Sequence, residues 1–170
     1  GRPTAGQTFV IQDIVKEVEA TSTQGTTTIT VKKLVQATST ILMFVDRITG
    51  YVYGHNRETG AIYQISNTTI PGIYDAYIFN NGKRIVLRYR DEDKNTIVGV
   101  LANIPQISEK DQAKPLEGTT YLPTQVTSVA LNKKGTLLSY LVERETGASI
   151  YTVDQKGATL VANTPFREWS

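Results

Sequence analysis

The chain has no cysteine, one histidine and one tryptophan among its 170 residues. Without thiols there is no disulfide framework, thiolate metal site or cysteine nucleophile. With a single histidine there is no two-histidine metal site. The longest apolar run, Ile41 to Val45, is five residues, against the roughly 20 that a helical membrane span needs, and no signal peptide lies in this stretch. Charge of one sign is scarce as well: 8 basic and 6 acidic residues lie up to Ile85, and 10 of each lie beyond it, for a net charge of +2. No tail or field therefore points to nucleic acid or another polyanion. Phosphate-cradling glycine loops, dinucleotide fingerprints and zinc motifs are missing, so no cofactor is called for. These absences leave a soluble globular chain for which one domain, 1–170, is the default expectation and roughly 70% of the unfolded surface is buried on folding. The chain begins at Gly1 without methionine and ends on Phe166 to Ser170 with no polar tail, which reads as a segment of something longer.

What is present is a period of two. Short runs alternate between apolar and polar residues and are bounded by glycine, asparagine and aspartate, while no window of a dozen residues holds a 3.6-residue apolar stripe. Threonine clusters such as Thr26-Thr27-Thr28-Ile29-Thr30-Val31 favour extended backbone through β-branching. The pattern predicts twelve strands, over 8–18, 26–35, 40–46, 50–56, 61–66, 74–80, 84–90, 96–102, 125–131, 136–143, 148–153 and 158–162. Gln12 to Ala20 also admits a helix, with Ile14, Val15 and Val18 on one face. Asn80-Asn81-Gly82, Lys133-Lys134-Gly135 and Gln155-Lys156-Gly157 place residues that tolerate positive φ where hairpins must close, so the sheets are expected to be antiparallel. Pro105 to Pro123 breaks the rhythm and reads as an inserted surface loop, where partner contact is first sought.

Internal repetition is the most informative feature. Arg57-Glu58-Thr59-Gly60-Ala61 and Arg144-Glu145-Thr146-Gly147-Ala148 match, 87 positions apart, and Asp91 to Asn95 takes the turn's place between them at spacings of 35 and 52 residues. The two Arg-Glu-Thr-Gly segments are expected to mark equivalent corners of successive units. A recurring meander of roughly 40 to 45 residues is the signature of a β-propeller blade, and a blade must stack on neighbours to bury both faces. The fold class is thus all-β, with antiparallel meanders stacked as a partial β-propeller. It comprises an N-terminal strand pair (8–35), blades at 40–73, 74–104 and 126–170, and the inserted loop at 105–125.

Through Asn132-Lys133-Lys134-Gly135-Thr136, placed like the innermost turn of a blade, the chain resembles bacterial propeller repeat proteins with WD40-like, TolB-type blades. Ile65-Ser66-Asn67-Thr68-Thr69-Ile70-Pro71 followed by Tyr74-Asp75-Ala76 is similar to uncharacterised surface-exposed proteins of candidate-phyla bacteria. The resemblance implies an extracytoplasmic setting, with anchoring through an N-terminal part outside this segment, and implies no activity.

Candidate chemistry is sparse. His55 has no Gly-x-Ser-x-Gly elbow to accompany it and reads as a strand-end residue, so no catalytic residue is assigned. Asp91, Asp93 and Asn95 have the spacing of a calcium loop, but Thr96 and Ala102 stand where glycine and a bidentate glutamate belong, and a solvated hairpin turn fits as well. Arg84, Arg88 and Arg90 alternate with Ile85, Leu87 and Tyr89. That spacing puts three guanidiniums on one side of a strand whose other side is buried, for an acidic partner or for acids on the next strand. Glu109, Lys110 and Asp111 are the charged candidates in the inserted loop. Tyr51, Tyr53, Tyr63, Tyr74 and Tyr77 suit sugar stacking if exposed and inter-blade packing if buried.

The functional expectation is a non-catalytic extracytoplasmic recognition or scaffold module that binds protein or glycan through rim loops. Two alternatives stand beside it. One is a propeller-type glycoside hydrolase or lyase, or the accessory propeller of a peptidase, which requires two carboxylates about 5 to 9 Å apart in a pocket. The other is a structural repeat that completes its ring by self-association, for example as a homodimer.

Overall fold

Twelve strands fall into three four-stranded antiparallel meanders in the computed structural model, which describes residues 3–24, 27–91, 93, 95–154 and 157–165. The first sheet comprises β1 (Thr4–Gln24), β2 (Thr27–Asp46), β3 (Val52–Asn56) and β4 (Ile62–Gln64). The second comprises β5 (Ile73–Phe79), β6 (Arg84–Asp91), β7 (Thr96–Asn103) and β8 (Glu117–Tyr121). The third comprises β9 (Val126–Leu131), β10 (Leu138–Arg144), β11 (Gly147–Val153) and β12 (Ala158–Pro165). In each, sequence neighbours pair in order, so every connection is local.

The sheets stack face to face, and the second lies between the other two. Strand β6 shows why: Ile85, Val86, Leu87 and Arg88 are all buried, because alternate side chains face opposite sides of a sheet and both sides are covered. Ile85 and Leu87 join Val10, Ile41, Met43, Val45 and Val52 of the first sheet in one core. Val86 joins Leu138, Tyr140, Val142 and Val153 of the third in another. The sequence expectation that only one side of this strand is buried is corrected here.

The strand expected over 8–18 forms within β1, which runs through Gln12 to Ala20, so the helix alternative falls away. Four further expectations change. The break expected between residues 35 and 40 does not exist: β2 continues through Thr38-Ser39-Thr40, and buried Ser39 donates its hydroxyl to Asn56 Oδ1 at 2.9 Å, so a polar residue sits in the core with its hydrogen bond made. The N-terminal strand pair is therefore no separate unit but the first half of the first sheet. Beyond the last pairing with β3, at Ile41↔Asn56, the β1–β2 hairpin continues alone from Ile11↔Thr40 to Gln24↔Thr27, a ribbon of about 45 Å at 3.3 Å per residue.

The inserted loop contains β8, the fourth strand of the second sheet. The part from Pro105 to Leu116 is a strap against the first sheet. Ile107 and Leu116, with Ile104 just before the loop, are buried in the first core, Ser66 and Lys114 form a parallel bridge, and Leu116 N–H donates to Thr68 Oγ1 at 2.7 Å.

The Arg-Glu-Thr-Gly corners are not equivalent. Arg57 to Gly60 joins the third strand to the fourth, whereas Arg144 to Gly147 joins the second to the third. Asp91 to Asn95 does correspond to the latter, since it also joins second to third strands.

Candidate functional site

The turn Asn80-Asn81-Gly82 between β5 and β6 has φ of 52°, 51° and 74°. Glycine and asparagine occupy this left-handed region at little cost. The turn gathers all three sheets. Asn81 Nδ2 donates to Ile11 O at 2.9 Å and its Oδ1 accepts from Ile11 N–H at 3.3 Å, so one side-chain amide does for β1 what a neighbouring strand's backbone would do. Asn80 N–H donates to Gly135 O at 2.7 Å in the β9–β10 turn of the third sheet.

Two adjoining recesses open beside this turn. The first, about 310 Å³, lies between the first two sheets, where buried Val10, Met43, Ile65 and Ile107 meet Asn81 and Pro105. The second, about 330 Å³, is bounded by Asn80, Arg84, Asn103 and Ile104. Lys83 and Gln106 belong to both and form the ridge between them. The ridge is pinned by backbone: Ile104 N–H donates to Lys83 O at 2.9 Å, and Gln106 Nε2 donates to Ile104 O at 3.0 Å and Gly82 O at 3.4 Å. Lys83 itself is exposed.

Arg84 supplies the second cation. Its guanidinium carbon lies 5.6 Å from the centre of the Phe79 ring, a cation–π distance, and Nη1 donates to the backbone oxygen of Asp154. Its Nε is buried without a hydrogen-bond partner. Burial lowers the Arg84 pKa from its ordinary value, opposed by the nearby Asp154 carboxylate.

No aspartate or glutamate lines either recess among the described residues, and none of these residues forms a cluster of three or more histidine and acidic side chains fit for a metal ion. The lining is cationic and amide, with Lys83, Arg84, Asn80, Asn81, Asn103 and Gln106 on it, side chains of the kinds that can donate hydrogen bonds to carboxylate, sulfate or hydroxyl groups.

The other sequence candidates are dispersed. Buried Arg88 pairs with Asp75 of β5 at 3.1 Å across the β5–β6 register and, facing the third sheet, donates to Val126 O at 3.1 Å. Arg90 lies at the far end of β6, roughly 20 Å from Arg84 by strand rise, and donates to Asn95 Oδ1. This contact gives Asn95 a guanidinium partner in the turn that also holds Asp91 and Asp93. Glu109, half-buried, accepts from Thr59 Oγ1 at 2.9 Å and Asn56 Nδ2 at 3.4 Å, tying the strap to the β3–β4 turn. Lys110 is exposed. Asp111 accepts from Ser108 N–H at 2.7 Å and Ser108 Oγ at 2.8 Å, and those two bonds hold its carboxyl below the usual carboxylate range.

His55 pairs with Leu42 and Ile62 on neighbouring strands of the first sheet. Tyr53 stacks on Phe44 at 5.5 Å, Tyr51 shares a 3.1 Å hydrogen bond with Thr69 Oγ1, Tyr77 donates to Asp75 at 3.3 Å, and Tyr63 packs against the first core. Of the five tyrosines, Tyr74 alone is more than half exposed, at 56%. Lys83 and Asn103 carry no periodic signal because they are isolated polar residues at strand ends, whereas Gln106 lies in the Pro105 to Pro123 loop where partner contact is sought, with nothing in its local sequence to single it out. Asn81 was visible only as a turn former.

In comparisons with known proteins, no family model, no curated protein and no solved structure matches the chain. What can be stated is the architecture: three stacked four-stranded antiparallel meanders with a cationic, amide-lined groove at one rim.

Proposed function

We propose that this protein is a non-catalytic recognition or scaffold module of the propeller type that binds an anionic group of a protein or glycan ligand in the rim groove beside Asn81. The carrying observation is the Lys83–Gln106 ridge between two recesses whose lining offers cations and amides and no carboxylate. Hydrolysis of a glycoside by paired acids has no pair to use there. Recognition side chains on turns held by a rigid sheet stack fit the general placement of binding residues on loops. The extracytoplasmic setting rests on the resemblance of Ile65 to Pro71 and Tyr74 to Ala76 to surface-exposed bacterial proteins.

The test is calorimetric titration with two defined probes, a heparin-derived hexasaccharide and an oligoglutamate peptide. Lys83→Glu and Arg84→Gln should each weaken binding of the responding probe by about tenfold or more, as expected when a charge-assisted hydrogen bond is lost. Arg90→Gln, at the opposite end of the same strand, should leave binding unchanged. Equal affinities for all three variants, or no binding of either probe, refutes the assignment.

A further inference from the structure

Each internal interface has the same polarity. The first sheet presents Ile41, Met43 and Val45 forward to the second, and the second presents Val86 and Leu101 forward to the third. The backward faces meeting them carry Ile85 and Leu87 in the second sheet and Leu138, Tyr140 and Val142 in the third. Two faces of this series pack on no other sheet among the described residues: the backward face of the first and the forward face of the third.

The backward face of the first sheet resembles one that is covered elsewhere in the chain. Phe44 and Tyr53 pair across β2 and β3, the second and third strands, and their rings stack at 5.5 Å and 16°. Tyr140 and Tyr151 pair across β10 and β11, again the second and third strands, and stack at 5.1 Å and 13°. Both aromatic pairs belong to a backward face. The second sheet covers the tyrosine pair, leaving Tyr140 4% exposed. Around the other pair, Phe9 is 62% and Ile62 64% exposed, although alternation puts both with Phe44 and Leu42 on one face.

The forward face of the third sheet is made of short side chains, with apolar residues set among hydroxyls. Leu141 pairs with Ile150 and Ser128, and Ser139 with Ala130 and Thr152. Ile150 is 42% exposed. Leucine, isoleucine and alanine among small serine and threonine side chains leave room for protruding aromatic rings, as large and small residues interdigitate in sheet packing, while Glu143 lies at the exposed end of this face.

We infer that these two faces stack on each other between two copies of this chain, the backward face of each first sheet on the forward face of the other's third sheet. The occupant is a second copy because the chain already repeats this face-on-face contact twice, so a third repetition continues an existing interface. Three sheets per copy give six in two copies, within the four to eight blades that close propellers. A heterologous contact that closes after two copies yields a two-fold ring with two identical interfaces.

Sedimentation of the intact chain should give a species of twice 18.8 kDa. Ile62→Glu and Ile150→Glu lie on different faces and each spoils both interfaces of a homodimeric ring. Either alone should raise the dimer dissociation constant about thirtyfold or more, as for loss of a buried hot spot. Both side chains are exposed in the single copy, so each variant should keep the wild-type circular dichroism spectrum. A 1:1 mixture of the two variants retains one wild-type interface and should recover two-chain species that neither forms alone. A wild-type monomer at every concentration, indefinitely growing assemblies, or a dimer sensitive to only one substitution overturns the ring. Because these positions lie outside the Lys83–Gln106 groove, the result is independent of the probe titrations.

Discussion

Gly82 and Gly60 have nearly the same backbone, at φ +74° and +73°, and opposite surroundings. A Cβ built on Gly60 meets nothing within 4 Å, whereas one on Gly82 comes within 2.6 Å of Met43 Sδ and 2.8 Å of Val10 Cγ1. Alanine at either position bears the left-handed cost of about 1 kcal/mol. At Gly82 it must also displace its neighbours. Met43 is unbranched and can rotate, but Val10 is β-branched with a stiff χ1 and is buried in the first core, so an overpacking cost of about 1–3 kcal/mol is added. Gly60→Ala should therefore cost about 1 kcal/mol and Gly82→Ala about 2–4 kcal/mol. At 2–4 °C per kcal/mol for a chain of this size, the melting temperature falls by roughly 2–4 °C in the first case and roughly 5–15 °C in the second. Thermal unfolding followed by circular dichroism compares the two directly. Equal losses would mean that the turn does not press on Val10 and Met43, and the contact between the first two sheets at this rim would have to be redrawn.

Replacing Gly147 by valine should cost several kcal/mol, because its Cβ would stand 2.5 Å from Thr164 O and 3.0 Å from Pro165 Cα of β12; denaturant midpoints that match the wild type would refute that approach. Arg88→Met should cost about 3 kcal/mol, toward the low end for a broken buried pair because Asp75 keeps some solvent contact. Adding Asp75→Asn should restore part of the loss, and a double-mutant cycle without coupling would refute the pairing. Burial raises the pKa values of Tyr63 and Tyr140 above 10.0, with smaller contributions from Glu109 and Tyr151 respectively. Unfolded tyrosines therefore lose their protons first: stability from this source is intact below pH about 10 and falls as pH rises through the folded values. Part of the tyrosinate absorbance should appear only with unfolding, and a single titration near the ordinary value for all nine tyrosines would contradict this.

The parts of the fold legible in the sequence are those where one strand carries its own burial pattern. β3, with Val52, Gly54 and Asn56 buried and Tyr53 and His55 half-buried, and β10, with Leu138, Tyr140 and Val142 buried, alternate because each lies inside a sheet with one face packed and the other not. β8 was illegible for the converse reason. All five residues of Glu117–Tyr121 are exposed, so only pairing to β7 makes it a strand, and pairing across a loop leaves no local mark. The groove is a similar case: it exists because the turn at Asn81 and the strap at Gln106 converge, and no short segment encodes that convergence. Arg84, Arg88 and Arg90 share a parity, yet at Arg88 a third sheet covers the strand and at Arg90, which is exposed, it does not.

The misread repeat shows which residue governs a turn. At Asn56 the side-chain oxygen accepts from Glu58 N–H at 2.9 Å and Thr59 N–H at 3.4 Å, while Gly60 N–H returns to Asn56 O at 2.9 Å. The same pattern occurs ten residues earlier, where Asp46 Oδ1 accepts from Ile48 N–H at 2.8 Å and Thr49 N–H at 3.0 Å, and Gly50 N–H donates to Asp46 O at 2.8 Å. Both turns end in a left-handed glycine, at φ +77° and +73°, and in both the threonine hydroxyl accepts from the N–H after the glycine at 3.2 Å. What they share is an Asx residue followed by Arg-x-Thr-Gly, and the Asx side chain is what closes the loop. Arg144-Glu145-Thr146-Gly147 is preceded by Glu143, whose longer side chain cannot make that closure. There Arg144 pairs directly with Gly147 and the chain turns through Glu145 and Thr146 alone. Four identical letters thus form two different corners, and the residue just before them decides which. Asn56→Ala should accordingly loosen the β3–β4 turn, whereas the β10–β11 corner depends on the room that Gly147 leaves for β12.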